Sequence, residues 1–163
     1  MISCPTIHHL RIQGVSFNMT GVEHIARGFL SLYGRLKEFS MRGCAINDES
    51  ALIIAECIRR SSSTRSPDSI NLSDNRITAV GLEALLASLQ NIERLNLSAN
   101  PLGIAGAALL GKFLEANTTL KVLHIEQVNL GSGGIELVMR GLEKNKTLLE
   151  LHCGENGIDH RVR

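Results

Sequence analysis

Aromatic residues are almost missing from this chain. Four Phe, one Tyr and no Trp make 3% of 163 residues. A core without large rings must be assembled from aliphatic side chains, and there is no platform on which single-stranded nucleic acid would stack. Charge of one sign is missing too. The net charge is +1, so no long-range field draws the chain to nucleic acid or to an acidic membrane. No stretch reaches the ~18 apolar residues of a membrane span. The opening Met1-Ile2-Ser3-Cys4-Pro5 lacks the basic start and long apolar run of a secretory leader. The four cysteines, Cys4, Cys44, Cys57 and Cys153, include no CxxC pair. Their spread fits thiols in a reducing compartment better than a disulfide framework, so a cytoplasmic setting is expected. Catalytic signatures are missing as well. There is no HExxH and no GxSxG, and Gly131-Ser132-Gly133-Gly134 has no following Lys-Ser/Thr to make a phosphate cradle. The expectation is a non-enzyme with no cofactor and no metal.

What the chain does have is 44% apolar residues in a fixed order. Ile92-Glu93-Arg94-Leu95-Asn96-Leu97-Ser98-Ala99-Asn100-Pro101-Leu102 reads L-x-x-L-x-L-x-x-N-x-L. The same string can be laid down six times, starting at Ile7, Leu36, Pro67, Ile92, Leu120 and Leu148, which gives periods of 29, 31, 25, 28 and 28 residues. Its x-L-x-L-x centre alternates with period two, the pattern of a short strand buried on one side. The Asn slot follows where the chain turns, and an Asn side chain there can bond the open backbone groups of neighbouring turns. Val15 and Val128 occupy that slot in two copies, so those turns are expected to be looser or water-bonded.

Helical patterns follow each strand at 22–32, 49–60, 80–89, 104–115 and 134–144, with apolar residues at i, i+3, i+4 spacing, as in Leu82, Leu85, Leu86 and Leu89. Thr20, Asp48, Thr78 and Ser132 are the expected N-caps. Gly21, Gly81, Gly106 and Gly134, with Ser50 in the second copy, recur near the helix starts and are read as small residues that let each helix lie close to the sheet.

This pattern resembles the leucine-rich repeats of the ribonuclease-inhibitor-like type, over about residues 7–158. That group includes ribonuclease inhibitor, the Ran GTPase-activating protein, tropomodulin, the CARMIL actin regulators and NOD-like receptors. The resemblance implies an α/β fold: a right-handed solenoid, a horseshoe segment with six parallel strands on the concave face and about five helices on the convex face. Residues 1–163 are read as a single domain of five to six repeats. Solenoids close their open hydrophobic ends with polar capping repeats. The chain enters its first strand at once and stops just after its sixth, so a longer parent protein, or another chain covering the last strand, is expected. The stretch 61–67, rich in Ser and Arg, lengthens the period from the second copy to the third to 31 residues and is read as a loop, with Ser66 before Pro67 as a candidate phosphorylation site.

By alternation, the concave surface carries His9, Arg11 and Gln13; Glu38, Ser40 and Arg42; Ser69, Asn71 and Ser73; Arg94, Asn96 and Ser98; Val122, His124 and Glu126; and Glu150, His152 and Gly154. The first two rows read as basic, the last two as acidic with His, and the middle as small and neutral. Such a polarised, hydrophilic concavity suits a protein partner of mixed charge. His124 and His152, with Glu126 and Glu150 beside them, have the composition of a Zn²⁺ site, against the plainer reading of exposed polar residues. Two further functions stay open. One is an assembly module, cytoskeletal, centrosomal or ciliary, that self-associates through uncapped ends. The other, implied by the resemblance to the Ran GTPase-activating protein, is a regulator of a small GTPase.

Overall fold

The computed structural model describes residues 7–32, 35–60, 67–89 and 91–157. Within them strands and helices alternate: β1 (His9–Gln13), α1 (Met19–Leu32), β2 (Glu38–Arg42), α2 (Asp48–Arg60), β3 (Ser69–Asn71), α3 (Ala79–Ser88), β4 (Arg94–Asn96), α4 (Gly103–Ala116), β5 (Val122–His124), α5 (Gly131–Lys144) and β6 (Glu150–His152). The strands pair in parallel as one sheet in chain order. Leu10, Phe39, Ile70, Leu95, Leu123 and Leu151 stand in register on neighbouring strands. That is the register the sequence repeat dictates. Cys4, the Ser66 site and Ile158 lie outside the described residues. Cys44, Cys57 and Cys153 are free thiols.

The core is aliphatic, as the composition requires. Leu72, Leu82, Leu85, Leu95, Leu97, Leu110, Leu114 and Leu123 are fully buried. The first two repeats add the ring pair Phe29–Phe39, with centroids 4.0 Å apart. The Asn slot knits the turns together. Asn75 Oδ1 accepts from the Cys44 and Ile46 amides, both at 3.0 Å. Its Nδ2 donates to the carbonyls of Met41 and Leu72. Asn100 and Asn156 repeat the arrangement one and three turns on. The turn at Val128 is not loose. Val128 is fully buried, and its amide donates to Asn156 Oδ1 at 2.9 Å. In the turn before it, the Leu102 amide donates to the Asn100 carbonyl at 2.8 Å, so a hydrocarbon side chain is tolerated there. Val15, by contrast, is 44% exposed.

The helices start earlier than the apolar pattern shows, and two of the four expected caps are displaced by their neighbours. Asn18 and Asn47, not Thr20 and Asp48, accept from the amides of Gly21 and Ser50. Thr78 does cap α3. Ser132 lies inside α5, which is entered at Leu130 without a side-chain cap. Asp48 instead reaches the next helix. Its carboxylate accepts from the Thr78 amide at 2.8 Å, the Thr78 hydroxyl at 2.7 Å and the Gly81 amide at 3.0 Å. Burial pushes this carboxyl up, but the Thr78 hydroxyl and the two amides outweigh it and hold it below the usual aspartate range. A carboxylate with a lowered folded pKa stabilises fully above its unfolded value, and that contribution is lost as pH falls through the folded value. Asp48→Asn is therefore expected to cost about 1 kcal/mol at neutral pH. The gap to the parent chain should close below about pH 4, as read by urea unfolding at a series of pH values.

The recurrent small residues near the helix starts do not serve contact with the sheet. A Cβ on Gly81 would lie 2.9 Å from the Ala51 Cβ and 2.6 Å from Asp48 Oδ1, both on α2. One on Gly134 would meet Ala107 of α4 and Leu130 of its own turn. At Gly81 and Gly134 the slot is small because successive helices touch there, whereas at Gly21 and Gly106 the closest atoms belong to the helix's own entering turn.

Candidate functional site

The concave strand face carries every candidate residue, in three rows set by the register. His9, Glu38, Ser69, Arg94, Val122 and Glu150 form the first, and Arg11, Ser40, Asn71, Asn96, His124 and His152 the second. Gln13 and Arg42 begin the third, which Ser73, Ser98 and Glu126 continue. Adjacent strands lie about 4.8 Å apart, so each residue meets its row neighbours, and those meetings revise the sequence reading.

The basic start of the face is largely neutralised. Arg11 forks onto Glu38, with nitrogen–oxygen distances of 2.7 and 2.6 Å. His9 approaches the same carboxylate at 3.3 Å. The Arg11 guanidinium holds the Glu38 carboxyl below the usual range. Ser40 and Ser73, expected at the surface, are only 1% and 6% exposed. Short side chains sink between the longer ones on neighbouring strands. Ser73 donates to Asn71 Oδ1, whereas Ser40 Oγ has no partner among the described residues. Val122 is likewise buried.

At the other end, the His124 and His152 rings stack with centroids 4.2 Å apart and planes 12° from parallel. Imidazole lone pairs lie in the ring plane, and nearly parallel planes give them no common point, so the observed rotamers do not converge on one ion. Each ring stands near a carboxylate of its own repeat: His124 at 3.7 Å from Glu126 and His152 at 3.6 Å from Glu150. Among the described residues no group of three or more His, Cys, Asp or Glu is placed to hold a metal ion, and no helix is long and apolar enough to cross a membrane.

Between these ends runs an open groove of about 440 Å³, lined by Arg42, Asn71, Ser73, Asp74, Asn96, Ser98, Ala99, Glu126, Gln127 and Glu155. Its floor is held by turns that alternation does not reveal. Asn71 Oδ1 accepts from the Ser73 amide at 2.9 Å, and Asn96 Oδ1 from the Ser98 amide at 3.0 Å. The Asn-x-Ser spacing of both is the signal that marks them. Gln127 and Glu155, bonded side chain to side chain across adjacent turns, form the groove's far wall. Both lie beyond the strand residues that alternation assigns to the face.

Known proteins match this geometry. A leucine-rich repeat family profile matches residues 69–86, which are β3 and most of α3. The chain is similar in structure to a tropomodulin C-terminal domain from Caenorhabditis elegans, at 20% identity and a TM-score of 0.67, covering 85% of this chain and 84% of that one. It is similar also to leiomodin-1 actin-binding site 2, at 21% identity and a TM-score of 0.64, covering 86% and 84%. The fold is a leucine-rich repeat solenoid. No curated protein sequence matches this chain. The solenoid's period near 28 with a full helix in each repeat is that of the ribonuclease-inhibitor-like type.

Proposed function

We propose that this solenoid is a non-catalytic protein-interaction module that seats a protein partner on its concave strand face. The observation that carries the reading is the open, hydrophilic groove formed by side chains on three adjacent strands and in the turns after them, with Arg42 at one end and Glu126 and Glu155 at the other. Opposed charges across a shared surface set partner choice and orientation. The groove is open and lined mostly by polar side chains, which suits recognition of a partner's surface.

A cytoskeletal partner is the favoured class. The leiomodin-1 domain that shares this fold is described as an actin-binding site, which supports actin or an actin-associated protein as ligand and a cytoplasmic, cytoskeleton-associated setting. The test is co-sedimentation with filamentous actin together with affinity capture. Both use the parent chain and a variant carrying alanine at Arg11, Arg42, His124 and His152. The parent should capture its partner, and the variant should retain the fold by circular dichroism and lose capture by about tenfold or more. Equal capture by both proteins would move the site off the strand face.

A further inference from the structure

The groove's floor has donors that the protein leaves unused. The side-chain oxygens of Asn71 and Asn96 are fixed in their turns by the Ser73 and Ser98 amides. That fixes which end of each carboxamide is nitrogen. Neither Nδ2 has a hydrogen-bond partner among the described residues, and the two residues are Cα partners on adjacent strands. Two NH2 groups thus stand side by side about 4.8 Å apart, on partly exposed side chains, in a groove they help to line. Arg42, exposed at one end, makes no ion pair among the described residues. At the other end Glu126 Oε2 is shared loosely with Ser98 Oγ at 3.4 Å and His124 at 3.7 Å. The Glu155 carboxylate stands beyond it on the groove's far wall.

We infer that this groove binds an extended peptide segment of the partner, carrying an acidic and a basic side chain four residues apart. The inference rests on the concave-face reading above. The chemistry is complementary throughout. A carboxamide NH2 is a pure donor, and the backbone carbonyls of an extended chain are acceptors that no helix has already used. A guanidinium forks onto a carboxylate, and the two carboxylates at the far end take an ammonium or guanidinium. The spacing follows from the strands. Arg42 ends β2 and Glu126 follows β5, three strand intervals or about 14 Å apart. An extended chain advances about 3.4 Å per residue, so about four residues cross from one charge to the other.

The test uses a fluorescein-labelled probe peptide, Gly-Asp-Ser-Val-Thr-Lys-Gly, read by fluorescence anisotropy against the full chain. Comparison peptides bring Asp and Lys two residues apart, or replace Asp by Lys. The four-apart probe should bind about tenfold tighter than the two-apart one, the size of one well-formed charged contact. Arg42→Glu should lose the Asp-Lys probe and gain the Lys-Lys one. The paired variant Asn71→Asp and Asn96→Asp keeps the oxygens that hold the turns and removes both donors. It should weaken the Asp-Lys probe while circular dichroism stays unchanged. Equal binding of the two spacings, probe binding untouched by these variants, or no binding at millimolar protein would overturn the inference. So would light scattering that shows a dimer abolished by Arg42→Glu, which would make a second copy the occupant. Footprinting of the captured partner separates the two readings. A partner seated on the strand face while the probe fails would remove the peptide chemistry alone, and a partner seated on the helices would remove both.

Discussion

Asn75→Ala is expected to lower the stability of this chain by about 4 kcal/mol. The substitution strands two buried amides, those of Cys44 and Ile46, and the Met41 carbonyl. Each orphaned group costs roughly 1–3 kcal/mol, and the small cavity adds to it. No water route relieves this, because Asn75 is 7% exposed and its partners belong to two successive turns. Asn100→Ala should cost less. Its oxygen serves only the Ile77 amide, since the Asn75 backbone amide donates to the Ala99 carbonyl instead. Urea unfolding monitored by circular dichroism gives both values, and the expected order is Asn75 above Asn100. Equal, sub-kilocalorie losses would mean that the turns are held by backbone and packing alone.

Gly141→Ala is expected to cost about 3 kcal/mol, even though alanine is the better helix former by about 1 kcal/mol. The reason is a contact between backbones. A Cβ on Gly141 of α5 would lie 2.1 Å from the Gly111 carbonyl oxygen of α4, and one on Gly111 would lie 2.5 Å from the Leu137 carbonyl oxygen. A carbonyl has no rotamer to escape into, so α4 and α5 must separate and uncover the buried Leu110, Leu114 and Val138. Gly28→Ala on α1 is the matching control. A Cβ there meets nothing within 4 Å, and the same change should stabilise by about 1 kcal/mol. Thermal unfolding of both variants decides. A neutral Gly141→Ala would mean the two helices are not in contact.

The repeat was legible because period two and period 28 are written directly into apolar residues. The register from Leu10 to Leu151 and the inward Leu95 and Leu97 follow from counting. The caps were less legible. Thr20 and Asp48 look like N-caps, but Asn18 and Asn47 stand one or two residues before them and take the role, which frees Asp48 to tie α2 to α3. A second Asn series was missed altogether. Asn117 and Asn145 each accept from the amides two and three residues on, and their shared Asn-x-Thr-Leu spacing, repeated 28 residues apart, is the signal. Gly111 and Gly141 gave no signal, since a small residue on a helix face carries no mark of what approaches it.

On the concave face, alternation placed each residue on the correct side of the sheet but not its neighbours' conformations. Arg11 reads as a free cation until its fork onto Glu38 is seen, and Ser40 reads as exposed until the side chains around it are. Among the described residues Arg42, Asn71 and Asn96 keep unused donors, and these are the groups on which the proposed recognition rests.

The most direct test of the concave-face account is hydroxyl-radical footprinting of this chain with and without its captured partner. The account predicts protection at Arg42, Arg94, His124 and His152, on and beside the strands, with Leu52 of α2 and Lys112 of α4 unchanged. Protection confined to the helices, with the four strand-face residues unaltered, would contradict it.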